Sequence, residues 1–397
     1  MNHLSPTIVL TGGGSGGHIT PILSLAHELK KVDPGCQLVY IGHKGDKFDS
    51  LKQSSELFDF TAYVNGGKFR RYYGESLLAH LFDVKTILLN ARDIFRVFGA
   101  TAKSLKILRR IKPHVVFSKG GFVVVPVCLA ARMLRIPVVT HDSDAVPGLA
   151  NRIVGRWAVV RAVGIPKGND SRSLESVVYT GIPIDSHIKK VDSAAEAGFK
   201  RELGLPVDSS VLLVGGAGNG SSKLNNLAVA IAPDLLGSFD KLQILHLTGL
   251  KHQAEMERRY EAGLSEEAAD RVSVLGLVPD FYKYSGAADV IISRAGATVL
   301  AEFAAQAKAC VIIPSPFLAA GHQLKNAEEL SRHQAAVVLS EEIKSDELTG
   351  IIGELLGDPA RRTELGDNFH KLAVPDAAER LANLILRVAH GERPTTN

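Results

Sequence analysis

The chain has 397 residues, 45% of them hydrophobic, and a formal net charge of +4, which is enough material for two ordinary cores of about 200 residues each. Its three thiols, Cys36, Cys128 and Cys310, are too few and too scattered for a disulfide framework or a zinc site and fit a reducing compartment. No apolar run reaches the roughly 18 residues of a membrane span, and residues 1–7 lack the basic and apolar regions of a secretory leader. A cytoplasmic, soluble chain is expected, one that can still rest on a membrane surface.

In chain order, Ile8-Val9-Leu10 leads into Gly12-Gly13-Gly14-Ser15-Gly16-Gly17-His18 and then into a helical pattern over residues 21–29, a strand, a loop and a helix. A helix starting just behind such a loop offers unpaired N–H groups and a positive dipole end to an anion. The loop lacks the Gly-Lys-Ser/Thr of a P-loop and a clean dinucleotide fingerprint. Two readings stand: a phosphate or sugar-phosphate cradle, or a structural turn. Further strands are expected at 38–42, 114–118 and 138–141, with a helix over 124–135 ahead of Ile136-Pro137. Mostly β-branched runs separated by helices predict a parallel sheet covered on both faces, with its site beyond the strand C-termini. Ser118-Lys119-Gly120-Gly121-Phe122 and His141-Asp142-Ser143-Asp144 follow such ends.

Between residues 65 and 119, twelve Lys and Arg stand against three acidic residues, leaving a net −5 for the rest of the chain. The loop Gly66-Gly67-Lys68-Phe69-Arg70-Arg71-Tyr72-Tyr73 mixes cations with aromatics. Behind it, Val84, Leu88, Ala91, Phe95, Phe98, Ala102, Leu105 and Leu108 recur at helical spacing, with Gly99 as a candidate interruption. Three readings compete: a solvated basic face, docking on an anionic membrane, and nucleic-acid binding. The last is weakest, because the remainder is acidic and no nucleic-acid motif accompanies the patch. The segment is expected to contribute to membrane association.

Residues 180–185, punctuated by Gly181 and Pro183, form the best hinge candidate. The rhythm then restarts with a strand at 211–214, the Gly-rich turn 215–222, a helix from about Lys223, and strands at 243–247, 272–275, 289–292 and 310–313. Two tandem α/β sheets, each opening on a Gly-rich turn, imply a cleft between similar domains. The expected division is 1–179, joined by a C-terminal helix within 372–397, and 180–371. Ser293-Arg294-Ala295-Gly296-Ala297-Thr298 opens a helix carrying Glu302, where a phosphate could meet Arg294 and the carboxylate could hold vicinal hydroxyls or merely cap the helix. His322 and Asn326, one helical turn apart with Gln323 beside them, suit sugar hydroxyls, as ordinary surface polarity also would.

Taken together and in order, the motifs at 13–18, 118–122, 141–151, 293–302 and 322–326 resemble the bacterial peptidoglycan N-acetylglucosaminyltransferases known as the MurG family, in glycosyltransferase family 28. The resemblance covers nearly the whole chain. It implies a GT-B fold of two facing Rossmann-like domains and inverting transfer of N-acetylglucosamine from UDP-N-acetylglucosamine. The implied acceptor is the C4 hydroxyl of undecaprenyl-diphosphate-linked muramoyl-pentapeptide, met at the cytoplasmic face of the membrane. A related transferase with another nucleotide sugar or lipid, and a nonhydrolysing UDP-sugar epimerase, are the alternatives.

Carried over position by position, the resemblance gives Glu302 the ribose hydroxyls, the backbone near Val278 the uracil, and Arg294 with Ala297 and Thr298 the nucleotide and diphosphate. His322, Gln323 and Asn326 would lie against the donor sugar. Ser15, Gly16, Gly17, Lys119 and Asp144 would receive the acceptor. His18 is the first choice of general base because imidazole titrates near neutral pH, and Asp144 is the second. No metal is obligatory, although a divalent cation could assist diphosphate binding. The chain departs from the family pattern at Ala217, which cannot offer the usual serine hydroxyl to the diphosphate and leaves Asn219, Ser221 or Ser222 as substitutes. It departs also at Asp185, where a cation is usual, and at Val124, where a serine is usual.

Overall fold

The structure is a computed structural model that describes residues 5–13, 16–43, 56–67, 84–166, 177–216, 220–316 and 321–392, without the side chains of 16–18 and 84–91. Two compact units emerge. The first takes the chain up to Ser186, with Gly321 and His322 and the chain from Val374 onward; the second comprises His187–Pro316 and Gln323–Ala373.

In the first unit, β1 (Thr7–Thr11), β2 (Gln37–Gly42), β3 (Phe60–Tyr63), β4 (Val115–Ser118), β5 (Val138–Asp142), β6 (Val160–Val163) and β7 (Val177–Tyr179) form one sheet in the order β3-β2-β1-β4-β5-β6-β7. Every pairing is parallel. Alternation along β1 divides the core. Ile8 and Leu10 face Ile22, Leu25 and Leu29 of the helix Gly16–Val32 together with Leu381 and Ile385 of the helix Ala377–Ala389. Val9 faces Leu108, Val127 and Val154 on the other side. A one-residue slip in β1 would exchange these faces, so burial on both sides fixes the register.

The second unit repeats the plan with β8 (Ser210–Gly215), β9 (Leu242–Leu247), β10 (Val272–Leu275), β11 (Val290–Ser293), β12 (Cys310–Ile312) and β13 (Val337–Val338), in the order β10-β9-β8-β11-β12-β13. All pairings are again parallel. Leu212 and Val214 pack on the helices Ser222–Ser238 and Ser345–Gly357. Val211 and Leu213 pack toward Phe303, Ala327 and Phe369. In both sheets the strand order reverses next to the opening strand, between β1 and β4 and between β8 and β11. Such a reversal spreads the connections to either side and leaves a crevice at the C-terminal ends of the two middle strands.

Three differences from the sequence expectations have physical reasons. The helix expected from residue 21 begins at Gly16, so Gly16 to His18 form its first turn and Pro21 lies inside it. The short strands β3, β6, β7 and β13 were not resolved from their surroundings in the sequence. The shortest, β7 and β13, run three and two residues, too few to display a period. The helix Val84–Ile111 runs straight through Gly99, where an added Cβ would meet nothing within 4 Å. On this helix the apolar stripe read from the sequence is not the buried face. Phe95 and Phe98 are 75% and 69% exposed, whereas Asp93, Ala100, Ser104 and Leu108 are buried. The stripe's spacing runs shorter than the 3.6 residues of a turn, so it winds around the helix and reaches the core only near Leu108.

Candidate functional site

At the switch point of the first sheet, the turn after β4 supports the Gly-rich turn after β1. Lys119 N–H donates to the Thr11 carbonyl at 2.9 Å, and Tyr40 Oη donates to the Gly12 carbonyl at 2.9 Å. Gly121 adopts φ +88°, and a Cβ there would overlap the Gly13 carbonyl. Glycine is needed at Gly121 on both counts. Ser15 lies outside the described residues, as does the His18 side chain.

Lys119 is 3% exposed and its Nζ donates to Ser143 Oγ at 2.8 Å. Burial pulls its pKa down to about 8, against the pull of Asp144 and then Asp142. Asp144 is half-buried. Asn151, the last residue of the 141–151 motif, organises this corner: it accepts from Ser118 Oγ at 3.0 Å and donates to the His141 carbonyl at 2.9 Å and to Asp142 Oδ1 at 3.0 Å. His141 is fully buried with Nε2 2.9 Å from the Gly181 carbonyl. Burial, reinforced by the charge of Lys119, lowers its pKa to about 3, so it is a neutral structural ring. The corner therefore holds a buried cation beside the carboxylates of Asp144 and Asp142.

At the switch point of the second sheet, Gly215 adopts φ +117° and Gly220 φ +78°, with their backbones laid against the Leu247 and Thr248 carbonyls. Asn219 and Ala217 lie outside the described residues. Ser221 caps the helix Ser222–Ser238 by accepting from Leu224 N–H at 3.4 Å. Arg294, on the turn after β11, donates from Nε and Nη2 to Ser221 Oγ at 3.1 and 2.9 Å, from Nη1 to the Ile313 carbonyl at 3.0 Å, and from Nη2 to Glu341. Little of its donor fork remains uncommitted. Glu341 was missed in the sequence because Glu341-Glu342 looks like any solvated pair.

Behind Arg294, the helix Ala297–Gln306 carries Ala297 and Thr298 buried in its first turn and Glu302 half-buried a turn later. Asn326 Nδ2 donates to the Ala295 carbonyl at 3.0 Å, and Gln323 Oε1 accepts from Ser315 N–H at 2.9 Å. Both amides thus brace the loops around the site, and His322 is half-buried at the start of their helix, His322–Arg332. Val278 is half-buried beside the exposed Leu277. Beneath the Gly-rich turn, Tyr260 Oη, His246 and Asn225 form a buried relay, 3.0 Å to His246 Nδ1 and 3.1 Å from Nε2 to Asn225 Oδ1. Of the two remaining departures, Val124 is fully buried core and Asp185 is exposed.

Residues 8–162 match the glycosyltransferase family 28 N-terminal domain and residues 210–381 its C-terminal domain. The UDP-N-acetylglucosamine–N-acetylmuramyl-(pentapeptide) pyrophosphoryl-undecaprenol N-acetylglucosamine transferase of Listeria monocytogenes serotype 4b is 32% identical over 384 residues, spanning 96% of this chain and 99% of that relative. The crystal structure of Acinetobacter baumannii MurG superposes with a TM-score of 0.68 at 24% identity, covering 96% and 99% of the two chains. A UDP-N-acetylglucosamine 2-epimerase shares the fold at 14% identity with a TM-score of 0.64, covering 99% of each chain. With both domain models matched in order and a full-length relative at this identity, the chain belongs to glycosyltransferase family 28.

Proposed function

We propose that this chain transfers N-acetylglucosamine from UDP-N-acetylglucosamine to the C4 hydroxyl of undecaprenyl-diphosphate-linked N-acetylmuramoyl-pentapeptide, converting lipid I to lipid II in peptidoglycan synthesis. The observation that carries this reading is the end-to-end similarity to a transferase named for that donor and acceptor. The two switch points supply its chemistry. In the second unit, Glu302 holds the ribose hydroxyls, the backbone at Val278 the uracil, and the Arg294 turn with Ala297, Thr298 and Asn219 the diphosphate. His322, Gln323 and Asn326 border the sugar.

In the first unit, Ser15, Gly16, Gly17, Lys119 and Asp144 receive the acceptor. His18 takes the proton from the attacking hydroxyl, with Asp144 as the alternative base. Attack at the anomeric carbon from the face opposite the leaving UDP turns the α-linked donor into a β-linked product. Backbone N–H groups at helix starts meet the charge that develops on UDP. The reading requires no resident metal, and a divalent cation enters only as an aid to diphosphate binding.

The chain works as a peripheral protein on the cytoplasmic face of the membrane. Among the described residues no helix is long and apolar enough to cross a membrane. The exposed Ile94, Phe95 and Phe98, with exposed Arg92, Arg96, Lys103 and Lys106 on the same helix, suit an anionic bilayer surface. The deciding experiment supplies radiolabelled UDP-N-acetylglucosamine with the lipid-linked acceptor, and other UDP-sugars in parallel. Label appearing in the lipid fraction, with UDP released, is the expected result. Interconversion of free nucleotide sugars without transfer would move the chain to the epimerases.

A further inference from the structure

The hydroxyl of Ser221 is already an acceptor several times over. Arg294 Nε donates to it at 3.1 Å, Arg294 Nη2 at 2.9 Å and Leu224 N–H at 3.4 Å. A serine hydroxyl has two lone pairs and one O–H, so its acceptor capacity is filled and what remains to it is the donation of its proton. A phosphate oxygen, which only accepts, is the complementary partner.

Arg294 is itself held. Its side chain is 18% exposed and that of Glu341, its ion-pair partner, 10% exposed. A guanidinium keeps its charge, so placing it this deep requires a carboxylate nearby. Glu341, just beyond β13, supplies that, while Nη1 is tied to the Ile313 carbonyl. On the other side of Ser221, the Gly220 backbone lies against the Thr248 carbonyl too closely to admit a Cβ. The hydroxyl is thus fixed from both flanks.

We infer that Ser221 donates its hydroxyl proton to the diphosphate of the nucleotide donor, in place of the hydroxyl that Ala217 cannot supply, and that Glu341 is the positioning residue that holds Arg294 against it. The inference rests on the donor reading above. Arg294 then acts on the diphosphate through Ser221, and its charge polarises the O–H toward the ligand. Glu341 touches no ligand. It keeps the guanidinium from swinging onto the phosphate by itself and leaving Ser221 slack.

The test compares the full-length wild type with Ser221→Ala, Glu341→Gln, Glu341→Ala and the double variant Ser221→Ala/Glu341→Ala. Calorimetry with UDP and with uridine separates diphosphate from nucleoside binding, and thermal melting checks the fold. Loss of one hydrogen bond to a charged group predicts UDP affinity lower by about tenfold in Ser221→Ala, with uridine affinity unchanged. The donor KM should rise in parallel while the acceptor KM stays put. Glu341→Ala should give a similar UDP-selective loss, the double variant no more than the larger single loss, and Glu341→Gln, which still accepts from Arg294, should retain most of the affinity. Ser221→Ala changes one hydroxyl and carries the test even where Glu341→Ala does not fold. Unchanged UDP affinity in Ser221→Ala, equal losses for UDP and uridine, or additive losses in the double variant would each overturn the inference and leave the donor reading intact. A folded wild type that binds no UDP would overturn both.

Discussion

Lys119 Nζ donates to Ser143 Oγ at 2.8 Å, joining the turn after β4 to the turn after β5 beside the first Gly-rich loop. The amine is buried and its pKa is lowered to about 8, so it is charged at neutral pH and loses that charge as pH rises through about 8. If this cation receives the acceptor's diphosphate, acceptor KM should climb by about tenfold between pH 7 and pH 9.5, with donor KM flat over the same range. Lys119→Arg, which keeps its charge, should flatten the profile. Steady-state kinetics with each substrate varied in turn checks this. An acceptor KM independent of pH removes Lys119 from that role.

Assigning the general base to His18 makes a separable demand. His18→Ala should lower kcat by about 10² to 10⁴, the usual worth of a positioned base, while UDP affinity stays within about twofold. Asp144→Asn should cost less and act chiefly on the acceptor, because Asp144 is coupled to Lys119. Single-turnover rates with saturating donor distinguish the two. A His18→Ala enzyme with ordinary turnover and only a raised donor KM sinks the assignment, and a collapse confined to Asp144→Asn transfers the role to that carboxylate.

The sequence made the two parallel sheets legible because their middle strands are continuous apolar runs, as at Val211-Leu212-Leu213-Val214 before Gly215. It also pointed to the strand-end loops, since Lys119, Asp144 and Arg294 follow directly on such runs. What it could not convey was how those side chains are spent. Arg294 reads as a phosphate cation, and its ion pair with Glu341, 47 residues away, leaves no trace in the sequence. Gln323 and Asn326 read as sugar ligands, and the bonds by which their amides also tie down Ser315 and Ala295 are hidden there. Such partnerships join residues from separate strands and leave no local period. The orientation of the helix Val84–Ile111 was hidden for a related reason: spacing reveals a stripe, and only packing decides which face the stripe occupies.

The buried histidines give the fold a pH dependence whose sign is fixed. His141 and His246 are both held near pKa 3, by burial first, against an ordinary value of 6.5. His246 in addition accepts or donates at both ring nitrogens, toward Tyr260 and Asn225, an arrangement that suits the neutral ring. Between about pH 3 and 6.5 the unfolded chain therefore binds protons that the folded chain does not, and stability falls as pH drops through that window. Each ring contributes up to about 1.4 kcal/mol per pH unit, and above pH 7 the contribution is constant. Urea unfolding between about pH 5 and 7 reads the effect above the range where carboxylates such as Asp59 and Asp208, lowered in the fold, begin to protonate in the unfolded chain. His141→Gln and His246→Gln should each flatten the slope of the unit that carries them. A slope identical to wild type in both variants would show that the rings do not titrate as described.

Phe95 and Phe98 stand in solvent one turn apart, with Ile94 46% exposed beside them and the side chains of Arg92, Arg96, Lys103 and Lys106 exposed along the same helix. A phenyl ring fully removed from water is worth roughly 1.5–3 kcal/mol; the partial burial available at a headgroup boundary returns a fraction of that for each ring. The double variant Phe95→Ser/Phe98→Ser should thus bind anionic vesicles about tenfold more weakly while its affinity for UDP in solution is unchanged. Lys103→Gln/Lys106→Gln should weaken binding at low salt by a similar factor and converge with wild type at high salt, where surface charge is screened. The two effects respond differently to salt, which separates an apolar anchor from an electrostatic one. Lys68, Arg70 and Arg71, in the basic loop ahead of this helix and outside the described residues, extend the series through their neutralisation. Vesicle sedimentation at two ionic strengths reads all the variants. Equal partitioning of wild type and the phenylalanine double variant would leave the exposed rings without a membrane role.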